Sequence, residues 1–373
     1  MAEGRNLASK YAKEVDERFH RESLAMSAVN SNYSFVGVKT VNVYSIPTVP
    51  MGDYNRGANF GSSRYGTPYD LERNVQTLTI QRDRGFTFII EKGDMVQSEM
   101  VSNTGRALSR ELKEVWVPEF DTYVFRKLAA AATARGNYAT DAITKDNAYE
   151  MFLKGMEHMG NKNVPDKGRV AFCSYGFANL LKQDPAFVKQ GDASQKMTIN
   201  GSIGEVDGCA IVRVPSSRLP AGAAFLMAHK MAATAPKQLE EYKTHDNPPG
   251  ISGWLVEGRV IYDCFVLNEK ADAIYYHGAQ PVLRLLDVTT ADQGDNSNIR
   301  VLVNPEAEKG NSFVYKLGAA ATAVTYEQDL SSWTALPASG TVVAKGSNAV
   351  VTVAEVNSTT KKAVAVGHSR FKD

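Results

Sequence analysis

The chain has 373 residues, enough for two or three domains with real cores. Its 42 lysines and arginines nearly balance 41 aspartates and glutamates, which argues against a dedicated nucleic-acid binder with its strongly basic face but leaves room for a surface that lies against nucleic acid. Cys173, Cys209 and Cys264 lie far apart among apolar neighbours and form no CxxC, so they read as buried free thiols. The charged start, MAEGRNLASKYAKEVDERFHRES, lacks the apolar run of a signal peptide. No stretch approaches the ~20 apolar residues of a membrane span, and folding in a cytoplasm is the expectation.

In chain order, residues 8–26 place Tyr11, Val15 and Phe19 four apart on one helical face. The stripe is narrow, so this helix is expected to lie on another surface as an arm. YSFVGVKTVNVYS (33–45) alternates with the period of a strand. The next stretch, 46–74, is rich in Gly, Pro, Asn, Ser and Tyr and has no aliphatic periodicity. It carries Tyr54, Phe60, Tyr65 and Tyr69 with Arg56, Arg64 and Arg73, and Tyr and Arg are enriched at protein interfaces. VQTLTIQ (75–81) and FTFIIEK (86–92) are predicted strands, with RDRG (82–85) as the turn of a hairpin. Together, loop and hairpin are too long for an ordinary compact connection.

Asp94 is a candidate cap for a long helix. Val101, Leu108, Leu112, Val115, Trp116, Phe120, Tyr123, Val124 and Leu128 form one stripe over about 95–134. Such a helix would be roughly 60 Å long. Pro118 stands inside it. A proline there offers no N–H to the Glu114 carbonyl, costs about 3 kcal/mol, and is expected to bend or divide the helix.

A mixed α/β region follows. AYEMFLKGMEHM reads as a helix with Met151, Phe152, Met156 and Met159 inward, and RVAFC (169–173) as a buried strand. YGFANLLKQ reads as a helix ending before Asp184-Pro185, with DGCAIVRVP (207–215) and AAFLMAHKM (223–231) as strands. His158 and His229 sit in apolar surroundings with no partner at metal spacing, and read as satisfied core residues. GRVIYDCFVLNEKADAIYYHG (258–278) is expected to be two strands joined by a turn at NEKAD. Beyond about 277–280, PVLRLLDV, NIRVLV, SFVYKLG, ATAVTYE, GTVVAK, NAVVTVAEV and KAVAVG recur every ten residues or so, the pattern of a small β-sandwich.

Catalytic signatures are missing: no GxSxG, no HExxH and no GxxxxGK[ST]. The glycine-rich NGSIGEVDG (200–208) precedes a strand, whereas phosphate is bound where a helix opens. Glu240 and Glu241 read as a solvated face. No catalytic, cofactor-binding or metal-binding residue is predicted, and the chain does not read as an enzyme.

The order of these elements resembles a tailed-phage major capsid protein of the Hong Kong 97 fold, over about residues 1–278. The segment VWVPEFDTYVFRKLAAAA is similar to the spine-helix segment of such proteins, and RVIYDCFVLNEKADAIYYHG to their closing β-segment. The resemblance implies an α+β architecture: an N-terminal arm (1–45), an E-loop (46–92), and a capsid core (93–278) with spine helix, A-domain and P-domain. An immunoglobulin-like β-sandwich (279–373) follows. It implies self-assembly as hexamers and pentamers into an icosahedral shell in the virion. Portal, a separate scaffolding protein and double-stranded DNA held without sequence specificity are the expected partners, with no membrane. On this reading Tyr54, Arg56, Tyr65 and Tyr69 anchor the loop on a neighbour, and Pro118 with Glu114 marks a bend in the spine. Some relatives weld subunits through an E-loop lysine. No lysine lies between Lys39 and Lys92, and arginine is a poor nucleophile, so such a bond is not expected. An encapsulin-like compartment and an extracellular adhesin-type structural protein are the alternatives.

Overall fold

A computed structural model describes residues 23–33, 35, 40–46, 48–57, 63–65, 74–93, 104–188, 205–292, 297–304 and 306–371. The expected arm helix lies outside the described residues except at its end, where a 3-10 turn, Ala25–Ala28, buries both of its terminal alanines. The cap at Asp94 and the stripe position Val101 also lie outside them.

Strand Thr40–Ser45 pairs antiparallel with Asn74–Thr79, from Thr40 opposite Thr79 to Ser45 opposite Asn74, so these two strands carry the 46–73 loop between them. This corrects the expected hairpin. RDRG is no turn: Arg82–Glu91 is one strand of ten residues, and it pairs with Gly253–Tyr262. A two-residue hairpin turn needs left-handed backbone, and Gly85 is not among the residues with positive φ. The chain changes sheet at Ile80 and Gln81 instead. Ile80 is buried with Phe35, Leu78 and Leu267, and the Gln81 N–H donates to Asp263 Oδ2 at 3.1 Å. Strand Lys237–Asp246, on the other side of Gly253–Tyr262, completes a three-stranded sheet.

The long helix is described from Thr104 and runs to Ala134. Between Thr104–Glu111 and Val117–Ala134 it makes one π turn, Leu112–Trp116, closed by the Val117 N–H on the Leu112 carbonyl. Phe120, Val124, Phe125 and Leu128 are fully buried, and the alanines at 129, 130 and 132 let the backbone come close to its neighbours. Both this helix and Ala148–Asn161 pack on strand Ile274–Gly278 of a six-stranded mixed sheet. The middle strand of that sheet, Arg169–Ser174, is buried on both faces, as a strand covered on both sides must be. The helices and strands expected from AYEMFLKGMEHM to AAFLMAHKM are all present. NEKAD, by contrast, is a 3-10 helix, Asn268–Ala273, and the strands on either side of it belong to different sheets.

After Gly278 a five-stranded and a three-stranded sheet face each other. Leu286, Val288, Ile299, Val301, Phe313, Val351 and Val353 form their shared core. ATAVTYE is not a strand. It covers the far side of the five-stranded sheet, where Val324, Tyr326 and Trp333 pack over Leu283, Val314, Leu330, Ala354 and Val356.

Candidate interface at the loop and its root

The described part of the 46–73 loop folds on itself. The Asn55 N–H donates to the Arg64 carbonyl at 3.0 Å, and the Gly57 N–H to Asn55 Oδ1 at 3.0 Å, a side-chain turn of the kind asparagine favours. Closing 55 on 64 brings Tyr54 and Tyr65 together edge to face, with ring centroids 5.0 Å apart. The pair faces solvent, Tyr54 at 48% and Tyr65 at 86% exposure, and Ile46, Val49 and Met51 of the same loop are exposed as well. Arg56 lies exposed in the turn between them. Tyr69 lies outside the described residues. The structure thus joins two of the four expected anchors and places a third at their side.

The root of the loop is held differently. Strand Arg82–Glu91 brings Arg82 and Arg84 to the long helix, where both reach Glu119. Arg84 donates through Nε (2.8 Å) and Nη2 (3.2 Å), Arg82 through Nη2 (3.0 Å), and the Tyr262 hydroxyl at 3.2 Å. Burial pushes the Glu119 carboxyl up, but the hydrogen bonds and charges of Arg84 and Arg82 outweigh it and hold the group below its ordinary range. The Arg82 guanidinium also lies 4.5 Å from the Tyr123 ring centroid. The Tyr123 hydroxyl donates to Asp263 Oδ1 at 2.7 Å, and burial followed by the Asp263 charge drives that phenol far above its ordinary value.

Two positions along from Glu119, Asp121 is fully buried and takes four donors. They are Ser23 Oγ (2.6 Å), the N–H groups of Leu24 (3.0 Å) and Ala25 (3.2 Å), and Arg218 Nη1 (2.8 Å). The carboxylate caps the 3-10 turn of the N-terminal segment from outside, as an N-cap side chain would from within. Glu119, Asp121 and Tyr123 were missed as site residues, although all three stand in the quoted spine segment. The alternating arginines of RDRG were the available signal, since residues two apart on a strand share a face.

The two residues expected to mark a bend, Glu114 and Pro118, lie on the same stretch of helix. Pro118 is the second residue after the π turn, so the register slips by one residue where the proline cannot donate. Glu114 accepts from Arg110 Nε at 2.9 Å. Of the remaining polar candidates, His158 Nε2 meets Asn137 Oδ1 at 2.9 Å and His229 Nε2 the Lys167 carbonyl at 3.0 Å. The three thiols are buried, and burial pushes Cys209 and Cys264 up to about 12. Among the described residues no cluster of His, Cys, Asp and Glu could hold a metal ion, and no helix is long and apolar enough to cross a membrane.

A family model described as Phage capsid protein matches residues 75–276. None of the curated proteins matches the chain. Among solved structures, one titled Mycobacterium phage Che8 superposes with a TM-score of 0.60 at 16% identity, covering 74% of this chain and 98% of that one. The capsid of Cyanophage P-SCSP1u gives 0.58 at 15% identity, covering 73% and 92%. The mature capsid of bacteriophage PhiM1 gives 0.57 at 13% identity, covering 73% and 91%.

Proposed function

We propose that this chain, which belongs to the phage capsid protein family, builds its shell by laying the 46–73 loop of each copy on a neighbour while the long helix holds the loop's root. It is a major capsid protein of the head, a structural component of the virion that assembles with copies of itself. How the copies hold one another is the proposal. The observation that carries it is the Tyr54–Tyr65 pair, two large side chains held together yet left in solvent. Large aromatic side chains packed together yet exposed mark an interaction site.

In this reading the contact is heterologous and closes into hexamers and pentamers by rotation. Many modest contacts then add up to a durable container. Pro118 and the π turn beside it give the helix a defined place to flex between flat and curved rings. The shell assembles in the host cytoplasm around a separate scaffolding protein, with a portal, and then holds double-stranded DNA without reading its sequence. The near balance of charge supports containment rather than tight binding of phosphate. About a quarter of the chain lies outside the match to the first of those structures, a share close to that of 279–373. This supports reading the C-terminal sheets as an added immunoglobulin-like module standing outward from the shell. The role of the chain is structural rather than enzymatic.

The test is the double variant Tyr54→Ala, Tyr65→Ala in the full chain. The expected result is a subunit that melts as the parent does but stays soluble or forms fragile shells, read by sedimentation and negative-stain microscopy. Intact, pressure-resistant particles from this variant would overturn the clasp.

A further inference from the structure

A cleft of about 810 Å³ opens where the long helix, the foot of strand Arg82–Glu91 and the C-terminal sheets meet. Its charged lining includes Arg82, Asp83, Arg84, Arg126, Asp287 and His368. Three of these are committed: Arg82 and Arg84 to Glu119, and Asp83 to Arg259, whose Nε donates to it at 2.9 Å. Arg126 is not. It stands on the long helix about a turn and a half beyond Asp121, half-buried, and among the described residues no acid or acceptor lies within bonding distance of it. Asp287 likewise has no ion pair among the described residues.

A guanidinium stripped of part of its water without a counter-charge is unfavourable, and burial, with no opposing charge, pushes Arg126 below its ordinary value. Its planar fork is the natural partner of a carboxylate. We propose that this cleft receives a second copy of the chain through the 46–73 loop, with Arg126 donating to the carboxylate of Asp53. This rests on the clasp proposed above. Asp53 is exposed, adjoins Tyr54, and is the one carboxylate among the described residues of the loop. The charges also match in reverse, because Arg56 and Arg64 flank Tyr54 and Tyr65 on the loop while Asp287 stands in the cleft.

The experiment is a charge swap in the full chain, with Arg126→Glu, Asp53→Arg and the two combined, scored by particle yield. Each single variant is expected to lose about tenfold, the lower end of the coupling measured where close charge pairs at an interface are net favourable, and the swapped pair to recover most of it. Parental yield from Arg126→Glu, or a double variant no better than the worse single, overturns the proposal. If Arg126→Glu lowers the melting temperature of the subunit, the same cycle with Arg126→Gln and Asp53→Asn decides. Losses that do not add support the pair, and additive losses overturn it. The two readings separate through the tyrosine variant. If that variant still blocks assembly while the swap fails, the clasp stands and only the pairing falls; if neither matters, the clasp falls as well.

Discussion

Asp121→Asn tests how the N-terminal segment is fixed to the long helix. Asparagine keeps the shape of the side chain, so no cavity opens, but it offers one acceptor oxygen and turns an NH₂ donor towards the rest. Asp121 Oδ1 now takes Ser23 Oγ and the Ala25 N–H, and Oδ2 takes the Leu24 N–H and Arg218 Nη1. Turned one way, the amide NH₂ faces the Leu24 N–H and Arg218. Turned the other, it faces the Ala25 N–H, since the Ser23 hydroxyl can rotate to accept. Either way Arg218, itself buried, loses this counter-charge. Removing one partner from a buried pair costs about 3–5 kcal/mol, a large part of the ~5–15 kcal/mol that holds a domain folded. At about 2–4 °C per kcal/mol for a body of this size, the subunit should melt about 10 °C lower. Scanning calorimetry reads the shift, and hydrogen exchange at the Leu24 and Ala25 amides locates it, because those two should lose protection first. A melting temperature within about 2 °C of the parent, with both amides equally protected, would refute the assignment of Asp121 as the anchor.

Two further outcomes follow from the same junction. Pro118→Ala supplies the N–H that the Glu114 carbonyl lacks in α register. It should raise the melting temperature, by no more than the ~3 kcal/mol that separates proline from alanine in a helix, and slow exchange over 112–118. A lower melting temperature with unchanged exchange would show that the π turn has another cause. Glu119 has a carboxyl held below its ordinary 4.5, so its contribution is complete above that value and is lost as pH falls through the lowered one. The melting temperatures of the parent and Glu119→Gln should therefore differ by a constant amount at pH 5–7 and draw together as pH falls below 4.5, and a difference that stays constant over the whole acid range would contradict this.

Much of the architecture was legible because its signals are local. The helix from 117 to 134 follows its 3.6-residue stripe, and the helices and strands of 148–229 follow their own periods. What misled was a local signal overruled at long range. RDRG has the composition of a turn, yet its two arginines find Glu119 and its backbone finds Gly253–Tyr262, some 170 residues further on. No period in 75–92 announces a partner so distant. NEKAD failed for the same reason, since two strands close in sequence join different sheets. ATAVTYE alternates like a strand, but its side chains cover an existing sheet rather than extend one. Of the site, the loop tyrosines were visible from composition. The acids that hold its root were not, because Glu119 and Asp121 on a helical face read as solvated until their partners are known.

The way 281–288 runs between the two bodies bears on what the C-terminal sheets do for the shell. A tethered decoration would hang from a polar, flexible linker. Here successive apolar residues point into different cores. Val282 is buried in the large core, its N–H donating to Thr133 Oγ1 at 3.1 Å, whereas Leu283 packs with Val314, Leu330 and Ala354. Leu285 returns to the large core, and Leu286 and Val288 enter the space between the two sheets. Between them Arg284 bonds the fully buried Glu355, which also accepts from Asn311 Nδ2 at 2.8 Å. Neither core is complete without this segment, and through Val282 it is tied to the last turns of the long helix. A module mounted this way shares its packing with the helix beneath it instead of hanging from a polar tether.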